Sequence, residues 1–217
     1  MKLFSTRQLV LTAVFAALTA VATLAIQIPT PSTNGYFNVG DGIILTASAV
    51  LGGLPAMLAG GIGSALADVI TGYSHWAIPT LIIKGAEGLI AGLIFSLIRK
   101  QIKGKALAAV LGILAMSLST LFMVAGYFFA SWAMQGYGYA VLSVVPNLIQ
   151  AAAGVALAAL LIYAADIERL INFIERKLQE PAASKAPDNP PDSPDSSQDN
   201  RADNTTDNPQ GNSGDRI

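Results

Sequence analysis

The chain has 217 residues, of which 53% are apolar and 12% charged, and a net charge of −1 at neutral pH. Because a typical soluble domain is about one quarter charged, this composition excludes a soluble enzyme and predicts an all-α polytopic membrane protein. With no cysteine and one histidine the chain offers no thiolate or multi-histidine metal site, and it has no basic face for nucleic acid, so we expect no metal, no cofactor and no nucleic acid.

Apolar stretches of about 20 residues predict the membrane-spanning helices. The first stretch covers residues 9–28, and we expect it to be a retained anchor rather than a cleaved signal peptide. The next apolar region is interrupted at Gly52-Gly53-Leu54-Pro55, where glycine suits a helix end and proline a first turn. We therefore predict six spans, and the remaining five cover residues 41–52, 55–70, 77–98, 106–132 and 141–163, with a charged helix continuing to about residue 178.

The positions of lysine and arginine predict the orientation of these spans. Cations precede the first span, fill residues 99–105 and follow the sixth span, whereas residues 29–40, 71–76 and 133–140 contain none. The positive-inside rule therefore predicts that the N- and C-termini are both cytoplasmic. One long helix over residues 41–70 would instead place the four cations of residues 99–105 outside.

Composition divides the chain into two parts. Residues 1–180 form the predicted six-helix transmembrane domain, for which membrane lipid is an expected partner. Residues 181–217 contain seven acidic and three basic side chains but only five apolar ones. Such a segment has little to bury, so we predict a disordered acidic cytoplasmic tail.

Four charged residues lie inside predicted spans, where charge is costly and usually serves a function. Asp41 opens the second span and could simply interact with the helix dipole. Asp68 nearly closes the third span, where the dipole disfavours an acid. Lys84 and Glu87 are three residues apart, on one helix face. They form either an ion pair inside the bundle or part of a polar cavity that opens to the outside.

Aromatic and amide side chains collect at the predicted outer ends of the spans. An interfacial aromatic belt would explain part of this set, but a belt occurs at both interfaces and the cytoplasmic ends have few aromatic residues. The asymmetry favours an outward-facing pocket for a planar, polar small molecule. The predicted substrate-binding residues are Asn38, Asp68, Tyr73, Lys84, Glu87, Trp132, Tyr137 and Asn147.

Small residues recur at helical spacing in three spans. The first span carries two interleaved AxxxA pairs, Ala13 with Ala17 and Ala16 with Ala20. Such spacing lets helices approach closely in lipid, either within the bundle or against another protein. For the glycines of the third and fourth spans we predict internal packing.

Four segments carry a family resemblance: Gly35-Tyr-Phe-Asn-Val-Gly-Asp41, Leu51-Gly-Gly-Leu-Pro55, Gly60-Gly-Ile-Gly-Ser-Ala-Leu-Ala-Asp68 and Pro79-Thr-Leu-Ile-Ile-Lys84-Gly-Ala-Glu87-Gly88. Together they resemble the substrate-binding S component of energy-coupling factor (ECF) vitamin transporters. Within that group the chain is similar to the riboflavin-type branch, whose members also import vitamin B6 and thiamine-precursor pyrimidines. The resemblance covers about residues 8–170.

The resemblance implies a non-enzymatic subunit of the bacterial plasma membrane that binds a vitamin or vitamin precursor with high affinity at its extracellular side. It also implies an EcfT-type coupling membrane protein and two cytoplasmic ATPase subunits as partners. In this family an alanine motif of the first helix packs on the coupling protein, a role that would fall here to Ala13 and Ala17. The resemblance leaves the identity of the vitamin open.

Two other readings of the sequence remain. A stand-alone proton-coupled transporter could use Lys84 and Glu87 as a proton relay, although such carriers usually show internal repeats and the two halves of this chain do not mirror each other. A membrane-embedded enzyme would have only Asp68, Lys84 and Glu87 for its chemistry. No phosphate-binding loop motif occurs, so we do not expect the chain itself to hydrolyse ATP.

Overall fold

The computed structural model describes residues 4–30, 35–164 and 167–179. The chain divides into two units, residues 1–175 and residues 176–217, and the predicted tail at 181–217 lies outside the described residues. The elements in chain order are α1 (Thr6–Ala25), β1 (Gln27–Thr30), β2 (Gly35–Asn38), α2 (Gly40–Leu51), α3 (Gly53–Ile70), α4 (Ala77–Gln101), α5 (Lys105–Gln135), α6 (Tyr137–Ala159), a π-helical turn (Leu160–Ala164) and α7 (Ile167–Gln179).

Five helices of the described part are long and apolar enough to cross a membrane: α1, α3, α4, α5, and α6 together with the π-helical turn. α2 is apolar but has only 12 residues, or about 18 Å at 1.5 Å per residue, against a hydrocarbon core of about 30 Å. Large apolar side chains also cover the outside of the bundle, as lipid contact requires. The structure thus confirms a helical, polytopic membrane protein, with five helices of spanning length and a shorter one where the sequence predicted six spans.

Two connections differ from the sequence prediction. The first predicted span ends early, at Ala25, because residues 27–30 pair with residues 35–38 in an antiparallel hairpin with Gln27 opposite Asn38. The predicted loop at 133–140 is absent, since α5 and α6 are separated by Gly136 alone, whose φ of +97° turns the chain. A positive φ of this kind favours glycine. The other helix ends lie within four residues of the predicted ones.

α2 is the central helix of the bundle. Nine of its 12 residues are buried, and it contacts α1, α3, α4 and α6. The other helices pack in series, α1 on α3, α3 on α4, α4 on α5 and α5 on α6. The long helices therefore surround a short helix that begins inside the bundle.

Glycine permits the closest helix contacts in the bundle. A Cβ atom on Gly63 would lie 2.4 Å from the backbone oxygen of Ala16, and one on Gly92 would lie 2.5 Å from the carbonyl carbon of Gly52. Both distances are below any real Cβ contact, so a larger residue would push the helices apart. These contacts confirm the prediction that glycines of the third and fourth spans serve internal packing.

Candidate functional site

A polar cavity lies at the end of the bundle that carries the β1–β2 hairpin. Both strands and helices α1, α3, α4, α5 and α6 contribute to its wall. It contains about 600 Å³ of space between atoms, a figure that includes the part continuous with open solvent. Its charged lining residues are Asp68 and Lys84.

A buried charge network forms the floor of this cavity. The Nζ of Lys84, a residue that is 1% exposed, donates to the Asp41 carboxylate and lies 3.3 Å from Glu87 Oε2. The second oxygen of Asp41, Oδ2, accepts a hydrogen bond of 3.0 Å from Gln150 Nε2. Lys84 and Glu87 therefore form the ion pair that the sequence suggested, and Lys84 also lines the cavity.

Asp41 has a larger role than the helix dipole alone would give it. It lies in the first turn of α2, where a negative charge is favoured, and it is also the carboxylate that Lys84 binds. Glu87 lies deeper and does not line the cavity, and its Oε1 has no hydrogen-bond partner among the described residues. Removal of one member of such a network would leave an uncompensated buried charge.

Asp68 is the acceptor in the opposite wall. Its Oδ1 accepts a hydrogen bond of 2.6 Å from the Tyr36 hydroxyl of β2, while Oδ2 has no partner among the described residues. Burial, reinforced by the hydrogen bond to Asp68, raises the pKa of the Tyr36 phenol well above its usual range. Tyr36 therefore stays a hydrogen-bond donor to Asp68.

Aromatic rings form the third part of the wall. The rings of Trp76 and Tyr127 meet edge to face with their centroids 6.0 Å apart, and Lys84 Nζ lies 5.6 Å from the centre of the Tyr127 ring. The Tyr127 hydroxyl donates to Thr80 Oγ1 at 3.1 Å. An ammonium beside aromatic faces suits a planar molecule with polar edges.

The structure brings together four of the eight predicted site residues. The cavity is lined by Asn38, Asp68, Lys84 and Asn147. Glu87 lies beneath Lys84, and Tyr73 lines an adjoining surface cavity, with its ring centroid 5.0 Å from that of Tyr36. A ligand-contact role for any of these residues remains a prediction.

Trp132 and Tyr137 lie outside the polar cavity. Their side chains are 50% and 63% exposed, and they form a separate aromatic group with Phe128 and Phe129. That exposure is typical of the interfacial aromatic residues of membrane proteins. Their predicted part in substrate binding gains no support from their position.

Several lining residues were not among the predicted site residues. Tyr36, Trp76, Tyr127 and Gln150 belonged to the outer aromatic and amide set, but the sequence did not show which of them point inward. Thr80 carried a usable signal, since its spacing of four residues from Lys84 places both on one face of a helix. The cavity also includes Thr23, Thr30, Gly35, Ser64, Ser131, Ser143 and Pro146.

The two alanine pairs of α1 point in different directions. Ala20 is buried, and the backbone of Ala16 meets Gly63 of α3. Ala13 and Ala17 are exposed on the outside of the bundle. The pair Ala13 and Ala17 therefore faces away from the bundle, and its role in docking a partner stays a prediction.

Metal binding finds no support in the described part of the chain. Residues 4–30, 35–164 and 167–179 contain no group of three or more histidine, cysteine, aspartate or glutamate side chains that could hold a metal ion.

Comparison with known proteins gives one family and two relatives. The family model "ECF-type riboflavin transporter, S component" matches residues 3–166. The "Thiamine precursor transporter HmpT" of Lactococcus lactis subsp. cremoris (strain MG1363) is 32% identical over 156 residues, which cover 71% of this chain and 85% of that protein. An "Uncharacterized protein in gap 3'region" of Pyrococcus woesei is 40% identical over 135 residues, covering 62% of this chain and 85% of that protein.

Proposed function

Because the chain belongs to the family of S components of ECF-type riboflavin transporters, we propose that it is the high-affinity substrate-binding subunit of an ECF-type ABC importer. Its apolar helices and its family make it a multi-pass protein of the plasma membrane. The observation that carries the proposal is the polar, aromatic-walled cavity between the hairpin and the charge network. A membrane subunit that binds a small molecule needs such a site, and no catalytic function is proposed.

The proposed substrate is a vitamin or vitamin precursor with a planar heteroaromatic ring. Trp76 and Tyr127 would contact the ring, Asp68 Oδ2 would accept from an N–H or O–H group, and Lys84 would donate to an acceptor on the ring edge. Riboflavin, vitamin B6 and a pyrimidine precursor of thiamine all have such edges. The name of the Lactococcus relative favours the pyrimidine precursor.

The proposed entry side is extracellular. The hairpin and the cavity are at one end of the bundle, and the cation-rich connection between α4 and α5 is at the other. The positive-inside rule places the cation-rich end in the cytoplasm. This proposal includes six passages through the bundle, with α2 as a short one, and two cytoplasmic termini.

The proposed partners are an EcfT-type coupling membrane protein and two cytoplasmic ATPase subunits. The exposed Ala13 and Ala17 offer a surface of small residues on α1, where another helix can approach closely. Energy from ATP would thus enter through the partners, which agrees with a chain that carries no phosphate-binding loop.

The deciding experiment is the identification of the small molecule that stays bound to the full-length protein through purification. We expect mass spectrometry to find a planar heteroaromatic vitamin or precursor, at reduced occupancy in an Asp68→Asn variant that keeps the side-chain shape. A Tyr137→Phe variant, changed outside the cavity, should retain the molecule.

Equal retention by the Asp68→Asn variant would count against the cavity as the binding site. Uptake into liposomes that contain this chain alone, driven by a proton gradient, would favour the stand-alone transporter instead. Uptake that requires the coupling protein and ATP would support the proposed assignment.

A further inference from the structure

Gln150 of α6 connects the hairpin to the charge network at the cavity floor. Its side chain is 2% exposed, and both of its polar atoms are paired. Nε2 donates to Asp41 Oδ2 at 3.0 Å, and Oε1 accepts from the backbone N–H of Asn38 at 2.9 Å. Asn38 ends β2 and Asp41 lies in the first turn of α2, so one side chain joins three elements.

The chemistry of the two partners fixes the orientation of this amide. A backbone N–H can only donate, and an ionised carboxylate can only accept. An amide satisfies both when its oxygen faces Asn38 and its nitrogen faces Asp41. Leucine makes neither bond, and an ionised glutamate would accept from Asn38 but place a second negative charge beside Asp41.

The bond from Gln150 also sets which oxygen of Asp41 meets Lys84. With Oδ2 held by Gln150, Oδ1 is the oxygen that binds Lys84 Nζ. Glu87 competes for the same ammonium at 3.3 Å. A carboxylate of Asp41 that could rotate would no longer define where the ammonium stands in the cavity wall.

We propose that Gln150 is a positioning residue that acts through Asp41 to place the Lys84 ammonium in the cavity and through Asn38 to hold the hairpin on the same network. The part that concerns substrate binding rests on the proposed function. The link between the hairpin and the network does not, so the two can be tested separately.

The test compares two substitutions at one position. Gln150→Leu removes both hydrogen bonds at every pH. Gln150→Glu, when ionised, keeps an acceptor for Asn38 but replaces the donor to Asp41 with a negative charge, whereas a protonated carboxyl can donate to Asp41 through its O–H and accept from Asn38 through its carbonyl. Low pH should therefore rescue the glutamate variant and leave the leucine variant unchanged.

Other charged and titratable groups belong to the same cavity or to the Lys84 network, so wild-type protein is measured at each pH as the reference. They are Tyr36 of β2, Asp41 of α2, Asp68 of α3, Lys84 and Glu87 of α4 and Tyr127 of α5. The matched control is Gln101→Glu, the same substitution at the exposed end of α4.

Hydrogen exchange of the full-length protein in detergent gives a readout that needs no ligand. At about pH 8 Gln150→Leu should exchange the amides of residues 35–38 roughly fivefold faster than wild type, judged by the strength of a hydrogen bond between neutral groups. Gln150→Glu should also exchange them faster, because Asp41 repels its carboxylate. At about pH 5, where a carboxyl can hold its proton, only Gln150→Leu should do so. If Gln150→Leu does not fold, the pH dependence of Gln150→Glu carries the test.

Equilibrium binding of riboflavin, pyridoxine and the aminopyrimidine precursor of thiamine is the second readout. For any probe that wild type binds, Gln150→Glu should lose about tenfold in affinity at the higher pH and recover at the lower one, while Gln101→Glu follows wild type.

Three results decide the matter. Wild-type exchange in folded Gln150→Leu, or a glutamate variant that follows the leucine variant at both pH values, would overturn the link. Altered exchange with unchanged affinity would overturn the positioning role. The expected exchange pattern in a protein that binds none of the probes would support the link and count against the proposed substrate classes.

Discussion

Replacement of Lys84 by methionine should destabilise the protein and abolish tight substrate binding, for two separable reasons. The Lys84 ammonium is buried between Asp41 and Glu87, so the single variant Lys84→Met leaves two carboxylates without their cation. Removing one partner of a buried ion pair costs about 3–5 kcal/mol. Since native domains are stabilised by about 5–15 kcal/mol, we expect a clear fall in the unfolding temperature.

The triple variant Lys84→Met/Asp41→Asn/Glu87→Gln separates stability from binding. It removes all three charges while keeping side chains of similar size, so most of the lost stability should return. Binding should not return, because the ammonium that faces the cavity is still missing. A lost hydrogen bond to a charged group is worth about 1.5–3 kcal/mol, which corresponds to roughly a 10- to 150-fold weaker Kd.

Tryptophan fluorescence in detergent measures the unfolding of these variants, and titration with the molecule recovered from wild-type protein measures binding. Lys103→Met, which changes an exposed cation at the other end of the bundle, is the control and should match wild type in both. A Lys84→Met protein as stable as wild type would refute the ion network. A triple variant with wild-type affinity would show that Lys84 serves structure alone.

Ala17→Leu should weaken assembly with the coupling protein and leave folding intact, because the side chain is exposed. The same change at buried Ala20 should lower the stability of the protein. Co-purification with the coupling protein measures assembly, and thermal unfolding measures stability. Tyr36→Phe removes the hydroxyl that donates to a buried carboxylate, so the unfolding free energy should fall by about 1–3 kcal/mol, while Tyr137→Phe at an exposed position should have no effect. Deletion of residues 181–217 should leave membrane insertion and substrate binding unchanged, and a large loss of affinity in the truncated protein would show that the tail has been misinterpreted.

The helices were predictable from the sequence because their signals are local. A spanning helix needs a long apolar stretch, and the break between α2 and α3 follows from the conformation that Gly52 adopts, with a φ of +86°. The hairpin was not predictable in this way, because residues 27–30 are ordered by residues 35–38 rather than by their own composition. The turn at Gly136 was missed because the polar and aromatic residues around it suggested a longer loop.

The sequence predicted the chemical character of the site better than it predicted which residues form it. Charge inside an apolar span identified Lys84 and Glu87, and helical spacing placed them on one face. Which carboxylate binds Lys84 most closely depends on α2, more than 40 residues away along the chain. The direction in which a side chain points also depends on how the helices pack. Trp132 and Tyr127 belong to one aromatic run in the sequence, but only Tyr127 lines the cavity.

The shortness of α2 determines how deep the cavity is. Lys84 lies seven residues into α4, about 10 Å along the axis, and it meets Asp41 at the very start of α2. Above that level the centre of the bundle has no helix, and the cavity occupies the space that a full-length central helix would fill. One further helical turn before Asp41 would raise the floor by about 5.4 Å and remove roughly half of that depth. The length of α2 therefore sets the depth of the space that the walls enclose.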